Sequence, residues 1–427
     1  MESTNKFESK PRDTYDLIVI GGGAAGMLAA GKAAESGAAV LLLERNDRLG
    51  RKLRITGKGR CNLTNNSPVS EIFDNIPTGG RFLHSALNGF SPRETMNFFE
   101  SLGVPLKTER GNRVFPCSDN ATDIVDALRG YLVKAGVTIR HGRAIGISAQ
   151  RDRVTGVLAS GGEIRCLSAI LATGGISYPA TGSTGDGYKM AADFGHTITP
   201  LRGSLVPLMA EPEVCGRMQG LTLKNIQLAA YDAGGKLVFK EFGELLFTHF
   251  GLSGPLALSA SAHMRRFGVD KYHVLLDLKP ALDEKKLDLR VLRDFMKYSN
   301  RDFANALGDL LNRLMIPLII EKSGIPPGAK VHSISREQRL KLVMLLKALR
   351  IDIDGAMPVE EAIITSGGVD LRGINPKTME SKLVRGLFFA GEIIDADAYT
   401  GGFNLQIAWS TAYAAAQGAV AYAMQGQ

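Results

Sequence analysis

The feature that most constrains this chain is a short apolar segment that ends in a cluster of glycines. Residues 15–20 have the sequence YDLIVI, an apolar and β-branched run that is typical of a buried parallel strand. Residues 21–26, GGGAAG, follow directly, and residues 27–36 contain the alanines of a predicted helix. A second apolar run, residues 39–43, ends in Glu44. This order of strand, turn, helix and strand predicts a βαβ unit in an α/β fold.

The spacing of the glycines in the turn fits a bound pyrophosphate. Gly21 allows a sharp turn, Gly23 lets the backbone approach the phosphates without a Cβ, and Gly26 allows the helix to pack closely on the strand. The start of the helix then presents N–H groups and a positive dipole end to the anion. Glu44 is placed to accept hydrogen bonds from an adenosine ribose, so the unit is predicted to be Rossmann-like. The first helical residues expected at this contact are Ala24 and Ala25.

Residues 45–65, RNDRLGRKLRITGKGRCNLTN, are dense in arginine, lysine and glycine and show no apolar period. A solvated charge run is the usual interpretation of such a segment. The interleaved glycines favour instead a loop that folds tightly around an anion or a flavin. The candidate contact residues in it are Arg45, Arg51, Lys52, Thr56, Lys58, Gly59, Arg60, Cys61 and Asn62.

Two later segments are also expected to contact the same cofactor. The apolar run at residues 164–171 enters Ala172, Thr173 and Gly174, and Ala144 is expected to lie near it. The run LFFAGE at residues 387–392 ends in a glycine and an acid, which we expect to reach a ribityl chain. A glycine pair and a predicted helix at residues 405–417 follow, and the start of that helix is expected to face the flavin pyrimidine. The candidate residues are Gly391, Glu392, Gly401, Gly402, Phe403, Asn404 and Leu405.

The three cofactor elements together favour FAD over NAD. In NAD dehydrogenases the last part of the chain does not usually contact the cofactor. The sequence has a single GxGxxG motif, which we assign to FAD. A nicotinamide cofactor, NAD(P)H, is therefore expected only as a transient reductant. No spacing of His, Cys, Asp or Glu resembles a metal site, and GLSGP at residues 251–255 lacks the last glycine of a GxSxG nucleophile elbow.

The residue pattern of the sequence changes between these elements. From about residue 199 short hairpin-like segments dominate, and residues 283–296, 302–313 and 336–349 then carry apolar residues at helical spacing. The cofactor-type pattern resumes after them. We expect an inserted β-rich module followed by helices.

The chain has 427 residues, four cysteines without a CxxC pair, and a formal net charge of +8. This cysteine pattern favours neither a disulfide framework nor a dithiol reductase. The longest apolar stretch, residues 17–31, is shorter than the about 20 residues that a membrane span needs, so no membrane association is expected. The first dozen residues are charged and lack an apolar core, so we expect no secretory signal and a cytoplasmic location.

Motifs along nearly the whole chain resemble those of one flavoprotein family. They are VIGGGAAG at residues 19–26, GRK at 50–52, GRCNLTN at 59–65, ATGGISYPATGSTGDGY at 172–188, GELLFTHFGLSGP at 243–255, TSGGV at 365–369 and AGEIIDADAYTGGFNLQIA at 390–408. With these motifs the sequence resembles the HI0933-like or BaiN-like family of NAD(P)/FAD-dependent oxidoreductases. One departure is Lys58, where several relatives have glycine.

The resemblance implies a Rossmann-like FAD-binding domain, discontinuous over residues 1–198 and 355–427. It also implies an inserted β-barrel-like module at 199–280 and a small helical domain at 281–354. Members of the family have been linked to aminoacetone oxidation, to reduction of double bonds in steroid-type substrates, and to synthesis of dihydrouridine in 23S ribosomal RNA. The family therefore implies the cofactor and leaves the substrate open.

Three functions follow as hypotheses. The first is an rRNA dihydrouridine synthase that binds RNA through a basic surface; the second is a small-molecule flavin oxidase or reductase; the third is a flavin-containing RNA-binding factor without turnover. The basic residues expected to contact RNA are Lys285, Lys286, Arg290, Arg293, Arg336, Arg339, Lys341 and Lys347.

Reduction of an activated C=C bond also needs a proton donor. Cys61 in the basic loop and His249 in FTHFGLSGP are the candidates, and the alternative for each is a structural role. Tyr178 and Tyr399 lie near glycine-rich segments and are further candidates as donors or stacking platforms.

Overall fold

The structure, a computed structural model, describes residues 14–264, 266–267 and 270–425. The expectation about the first dozen residues therefore lies outside the described residues. Contacts divide the chain into two units. The first unit contains the residues up to Gly203 together with those from Ala362 onward, and the second contains Ser204–Glu361. The division of the insertion into a β-rich module at 199–280 and a helical domain at 281–354 stays a prediction.

The strands are β1 (Thr14–Ile20), β2 (Val40–Glu44), β3 (Thr64–Asn65), β4 (Leu106–Glu109), β5 (Arg113–Pro116), β6 (Thr138–His141), β7 (Ala144–Gln150), β8 (Arg153–Ala159), β9 (Gly162–Leu171), β10 (Arg202–Ser204), β11 (Leu208–Ala210), β12 (Thr222–Tyr231), β13 (Leu237–Thr248), β14 (Gly251–Ser253), β15 (Tyr272–Asp277), β16 (Leu349–Ala356), β17 (Ile364–Ser366) and β18 (Leu387–Phe389).

The helices are α1 (Ala24–Glu35), α2 (Arg51–Ile55), α3 (Val69–Asp74), α4 (His84–Gly89), α5 (Pro92–Ser101), α6 (Ala121–Lys134), α7 (Asp186–Ala192), α8 (Pro212–Arg217), α9 (Gly254–His263), α10 (Glu284–Lys297), α11 (Ile316–Ser323), α12 (Arg336–Lys347) and α13 (Phe403–Gln425). Among the described helices, none is both long enough and apolar enough to cross a bilayer.

The first unit is built on a twisted sheet with the strand order β6-β2-β1-β9-β8-β7, and β18 also pairs with β9. The strands β6, β2, β1, β9 and β18 run parallel, whereas β7 and β8 join by antiparallel pairing. Strands β1 and β2 are almost wholly buried, which explains their uninterrupted apolar sequences. The predicted Rossmann-like α/β fold is therefore confirmed.

A smaller antiparallel sheet, β3-β5-β4, also belongs to the first unit. Strand β3 forms the last two residues of the basic segment at residues 45–65. That segment is less irregular than expected, since it contains the single-turn helix α2 and a 3₁₀ turn at Thr56–Gly59. The left-handed backbone of Gly50 precedes α2 and starts this turn of helix.

The second unit contains a closed antiparallel barrel of six strands, β11-β14-β13-β12-β15-β16. Its interior is apolar, and Leu228, Val274 and Ile351 are fully buried. Helices α10 and α12 form as predicted, but the predicted helix at residues 302–313 is wrong. Only a 3₁₀ turn at Phe303–Asn305 forms there, and the segment is instead held by tertiary contacts in which the Phe303 and Ala304 amides donate to the carbonyls of residues 329 and 327.

Candidate active site

A cleft lies along the carboxyl ends of the parallel strands of the first unit. Residues 44–46 follow β2, residues 21–25 follow β1, residues 172–174 follow β9, and residues 390–392 follow β18; all of them line the cleft. Ligands of open α/β sheets bind outside the carboxyl ends of the strands. The position of the cleft, and its lining by residues that follow four neighbouring strands, therefore suit an elongated ligand such as a dinucleotide.

The three glycines of the turn after β1 have different roles. A Cβ on Gly21, whose φ is +105°, would lie 2.5 Å from the carbonyl oxygen of Ala172, so the turn and the neighbouring strand approach closely. A Cβ on Gly26 would lie 1.8 Å from the carbonyl oxygen of Gly21, so helix α1 packs directly on the turn. A Cβ on Gly23 would meet no atom within 4 Å. Gly26 thus serves packing and does not line the cleft, whereas Gly23 borders open space.

The start of α1 fits an anionic group. Gly23 is its N-cap residue, and no side chain of the described residues caps the first amides of the helix. The hydroxyl of Thr173, which also lines the cleft, is buried and has no hydrogen-bond partner in the described part of the chain. Buried polar atoms are nearly always paired, and uncapped helix N-termini bind phosphate groups. These observations fit the pyrophosphate of FAD.

The side chain of Arg51 fits the same group. It is exposed at the cleft, and its Nη1 donates to Asn46 Oδ1 at 3.2 Å. In the described part of the chain no carboxylate lies within ion-pair distance of it. Its other guanidinium donors therefore remain available to an anion.

Glu44 closes the β2 end of the cleft. One carboxylate oxygen accepts from the Gly22 amide at 2.5 Å, and the other accepts from the amide and the side chain of Asn46, both at 2.7 Å. Each oxygen of a carboxylate accepts more than one hydrogen bond, so a ribose hydroxyl can share this group. The residue lies where the sequence predicts it, at the end of the second parallel strand.

An ion-pair network borders the same end. Arg45 donates to Thr184 at 2.6 Å and to Asp186 at 3.0 Å, and Arg143 donates to both oxygens of Asp186 at 2.9 and 3.0 Å. All four residues line the cleft. Only Arg45 is a predicted contact residue; Thr184 and Asp186 lie within the motif at residues 172–188, but the sequence analysis predicts no cofactor contact for them.

A second polar cluster lies at the β18 end. The ammonium of Lys52 donates to Ser177 Oγ at 2.7 Å and to the Glu392 oxygens at 2.9 and 2.6 Å. The hydroxyl of Ser177 and the amide of Thr365 also donate to Glu392, at 2.9 and 2.8 Å. The two charged side chains are about four-fifths buried, with exposed fractions of 21% and 14%. Both line the cleft, so the carboxylate predicted to reach a ribityl chain is also the partner of a cleft lysine.

The start of α13 contributes fewer cleft residues than expected. Asn404 and Leu405 line the cleft, but Gly401, Gly402 and Phe403 do not. A Cβ on Gly402, whose φ is +98°, would lie 2.3 Å from the carbonyl oxygen of Thr64. This glycine is therefore needed for close packing of the helix start against β3.

Five candidate contact residues of the basic loop do not line the cleft, namely Lys58, Gly59, Arg60, Cys61 and Asn62. The guanidinium of Arg60 is paired with Glu109 and Asp119, and it packs on the ring of Phe115 at 4.1 Å from the centroid. In one orientation of the Asn62 side-chain amide, its oxygen accepts a hydrogen bond from the Gly402 backbone amide at 3.0 Å. Both side chains stabilise the loop itself.

The structure does not bring the candidate proton donors into the cleft. Cys61 is fully buried, and burial raises the pKa of its thiol to about 12. His249 belongs to the second unit, where it lies exposed between β13 and β14 with its ring 5.0 Å from that of Phe250. Tyr178 and Tyr399 belong to the first unit and do not line the cleft either.

The predicted contact residues that do line the cleft are Gly21, Gly23, Ala24, Ala25, Glu44, Arg45, Arg51, Lys52, Thr56, Ala144, Ala172, Thr173, Gly174, Gly391, Glu392, Asn404 and Leu405. Sequence reasoning missed the cleft residues Asn46, Arg143, Ser183, Thr184 and Asp186. Ser183, Thr184 and Asp186 belong to the motif at residues 172–188, which could have indicated them, whereas Asn46 and Arg143 are isolated polar residues without such a signal.

Comparisons with known proteins agree with the geometry. The family model described as the HI0933-like protein Rossmann domain matches residues 15–418. A protein of Escherichia coli named ribosomal RNA dihydrouridine synthase is 31% identical over 96% of this chain and 99% of its own length. One of Haemophilus influenzae with the same name is 31% identical over 93% of this chain and 97% of its own length. A 3-dehydro-bile acid delta(4,6)-reductase of Clostridium scindens is 30% identical over 94% of this chain and 98% of its own length.

Proposed function

Because this chain belongs to the HI0933-like family and is an FAD-dependent oxidoreductase, we propose that it reduces uridine to dihydrouridine in 23S ribosomal RNA, with NAD(P)H as the reductant. One observation supports this choice of substrate. Two relatives named ribosomal RNA dihydrouridine synthase, from two organisms, are each 31% identical to this chain over nearly its whole length. An rRNA substrate also agrees with the expected cytoplasmic location.

The cleft provides for each part of FAD in the order of the strands. Glu44 at the end of β2 would hold the adenosine ribose, and the uncapped start of α1 with Arg51 would hold the pyrophosphate. Glu392 and Lys52 at the end of β18 would contact the ribityl chain and the flavin. When bound, FAD supplies hydride-transfer chemistry.

The reaction is balanced by two electrons and two protons. One hydride, which derives from NAD(P)H, is added to C6 of the uracil ring and one proton to C5, and NAD(P)⁺ is released. Negative charge develops on the uracil carbonyl conjugated to the double bond, so a cation or an N–H group near that oxygen lowers the barrier. Lys52 is the ammonium group that lines the β18 end of the cleft. Its pairing with Glu392 holds it in place, which favours an orienting role.

A second function is supported by the similarity to the bile acid reductase. That relative is 30% identical over a comparable share of both chains. Its name describes reduction of a conjugated double bond in a small molecule, which is the same type of reaction on a different substrate. A steroid-type enone is therefore the alternative substrate class.

The first experiment maps dihydrouridine by position in 23S rRNA from cells with and without this gene. The proposal expects the loss of one site in the deletion strain and its return with the intact gene. Gly23→Val, which would place a branched side chain in the open space at the start of α1, should fail to restore it. Gly130→Val is the matched control, since a Cβ there also meets no atom within 4 Å but lies in α6, outside the cleft.

The purified enzyme then separates the alternatives. Reduction of the flavin by NADH or NADPH in the absence of oxygen is followed at 450 nm, and reoxidation is measured with unmodified 23S rRNA or with a steroid enone. An unchanged dihydrouridine map together with reoxidation by the enone would replace the first function by the second. A flavin that neither nicotinamide cofactor reduces would contradict both and favour a binding factor without turnover.

A further inference from the structure

The cations expected to contact RNA are mostly neutralised within the second unit. Six of the eight have a carboxylate within ion-pair distance, among them Arg339 with Asp288 at 2.6 Å and Lys347 with Asp277 at 2.5 Å. In the described part of the chain only Lys285 and Arg336 of that set lack such a partner. Arg290 and Arg293 share Asp294, so five carboxylates partner the eight cations, and the three remaining positive charges are spread over the whole set.

A more basic surface lies on the hairpin formed by β4 and β5 and on the loop at residues 57–60 that packs against it. We call this surface the basic hairpin. Its cations are Lys58, Arg60, Lys107, Arg110 and Arg113. The loop lies on the hairpin because the Arg60 guanidinium stacks on Phe115, and a Cβ on Gly57 would lie 3.4 Å from the same ring.

The basic hairpin carries more positive than negative charge. Its carboxylates are Glu109 and Asp119: Arg60 donates to both, and Lys107 donates to Asp119 at 2.6 Å. Arg113 lies 4.0 Å from Glu109. Five cations share two carboxylates, so three positive charges remain uncompensated. Hydrogen bonds from Arg60 and Lys107 lower the pKa values of these carboxyl groups, so the network stays ionised at neutral pH.

Two of the cations have no acidic partner. Among the described residues, no carboxylate lies within ion-pair distance of Lys58 or Arg110, and both side chains are exposed. The backbone of Arg110 is held in place, since its carbonyl accepts from Arg113 Nε at 3.0 Å. An exposed cation whose backbone is already held in place can contact an external anion without a further loss of backbone freedom.

The backbone at Lys58 gives a second, independent observation. Lys58 has a φ of +59°, and its neighbours Gly57 and Gly59 have φ values of +58° and +84°. A left-handed conformation is unfavourable for a lysine, and residues held in such conformations are concentrated at functional sites. Within the described residues, no hydrogen bond or ion pair of the Lys58 side chain offsets this strain. The loop thus places an ammonium group outward at a conformational cost.

The basic hairpin is tied to the flavin end of the cleft. Thr56, two residues before Lys58, lines the cleft. The side-chain amide of Asn65 donates to the carbonyls of Gly111, in the β4–β5 turn, and of Gly401, both at 3.0 Å. Gly401 directly precedes the segment with Asn404 and Leu405, which line the cleft. One buried amide therefore couples the hairpin turn to the start of α13.

We propose that the basic hairpin binds the phosphodiester backbone of the RNA substrate and holds the target nucleotide beside the cleft, with Lys58 and Arg110 as the principal phosphate contacts. This inference rests on the proposed function, because it assumes that RNA is the substrate. Exposed lysine and arginine side chains attract a polyanion, and a phosphate contact releases counterions from it. Contacts of this kind position the RNA without reading its sequence.

The test compares two double variants that remove the same charge. Lys58→Gly/Arg110→Ala removes the unpaired cations of the basic hairpin, and glycine accepts the left-handed backbone at position 58. Lys285→Ala/Arg336→Ala removes the two unpaired cations of the predicted set in the second unit. The probe is a fluorescein-labelled, single-stranded RNA of 20 nucleotides, titrated with flavin-loaded protein at several KCl concentrations. Absorbance at 450 nm confirms that each variant retains its flavin.

We expect the hairpin variant to lose about tenfold or more in affinity at low salt. The slope of log K against log salt should fall by about 1.4, which is about 0.7 for each of two lost contacts with a single strand. The second-unit variant should keep the wild-type slope. Equal losses in both variants, or a wild-type slope in the hairpin variant, would overturn the inference.

The proposed function can fail separately. If the hairpin variant binds RNA like the wild type while the wild type restores dihydrouridine in cells, the inference is wrong and the function stands. If the dihydrouridine map does not depend on the gene but the hairpin variant loses RNA affinity, the RNA surface stands and the proposed reaction is wrong.

Discussion

Two glycines of one turn, three residues apart, should respond to the same substitution in opposite ways. In Gly26→Val the new Cβ would lie 1.8 Å from the carbonyl oxygen of Gly21, far inside the 3.4 Å of ordinary contact. In Gly23→Val it would meet no atom within 4 Å, and the φ of −80° suits a residue with a side chain. Gly26→Val should therefore destabilise the fold, whereas Gly23→Val should weaken only the binding of a ligand at the start of α1.

The magnitudes follow from these distances. Overpacking costs about 1–3 kcal/mol when side chains can shift, and more when the obstacle is backbone, so Gly26→Val should lower the free energy of unfolding by about 3 kcal/mol or more. Gly23→Val should lower it by about 1 kcal/mol at most, from the loss of glycine at an N-cap. Losing two charge-assisted hydrogen bonds to a phosphate, at about 1.5–3 kcal/mol each, weakens FAD binding by about 10²- to 10⁴-fold.

The assay separates stability from cofactor binding. The flavin is removed from the wild type and both variants, urea unfolding is measured on the apoproteins, and FAD is then titrated back while flavin fluorescence is followed. Gly23→Val should unfold near the wild-type midpoint and bind FAD poorly. A yellow, fully loaded Gly23→Val protein would refute the assignment of the pyrophosphate position, and an apoprotein as unstable as Gly26→Val would refute the distinction between the two glycines.

Three further substitutions test single residues. Cys61→Ala should keep turnover within about threefold between pH 6 and 9, because the thiol is fully buried and does not line the cleft; a fall of about 100-fold would restore Cys61 as the proton donor. Burial also raises the pKa of Asp395, so its carboxyl group contributes stability below its unfolded pKa of about 3.9 that is lost as pH rises through the folded pKa. Asp395→Asn should therefore gain stability relative to the wild type between pH 4 and pH 7 in urea unfolding, and an equal difference at both pH values would contradict this. Gln406→Leu should cost about 3 kcal/mol in the same assay, because Gln406 accepts from the buried hydroxyls of Thr64 and Thr95; a loss below about 1 kcal/mol would show that these hydroxyls find other partners.

Helices that the local sequence specifies can be predicted, whereas the residues at which they end are harder to predict. In α6 the apolar residues recur at helical spacing and Asn120 caps the first turn, so the local sequence itself specifies this helix. The last helix was expected to end near residue 417, where Gly418 follows, but α13 continues to Gln425. A Cβ on Gly418 would lie 2.6 Å from the carbonyl oxygen of Thr378. This glycine permits a close approach and does not stop the helix, and sequence alone does not distinguish the two.

Some site residues can likewise be predicted from the sequence, and others cannot. Gly21, Gly23 and Glu44 could be found because a phosphate-binding turn needs fixed residues at fixed spacing. Arg60 has the composition of an anion contact, yet its guanidinium is neutralised by Glu109 and Asp119, carboxylates 49 and 59 residues away in sequence. Pairings of that kind are set by tertiary packing, so the charge of a segment does not show which of its cations remain available.

The order of strands gives the cleft its direction, and that direction bears on where a substrate meets the cofactor. Along the sheet β2, β1, β9 and β18 follow one another, so the groups suited to ribose, pyrophosphate and ribityl chain lie in the order in which FAD contains them. In the proposed placement of FAD, the flavin lies at the β18 end of the cleft, next to α13. Asn65 joins the start of α13 to the β4–β5 turn, which makes the basic hairpin a neighbour of this end and separates it from the adenosine end at Glu44. A polyanion held there would therefore present its bases to the redox-active ring.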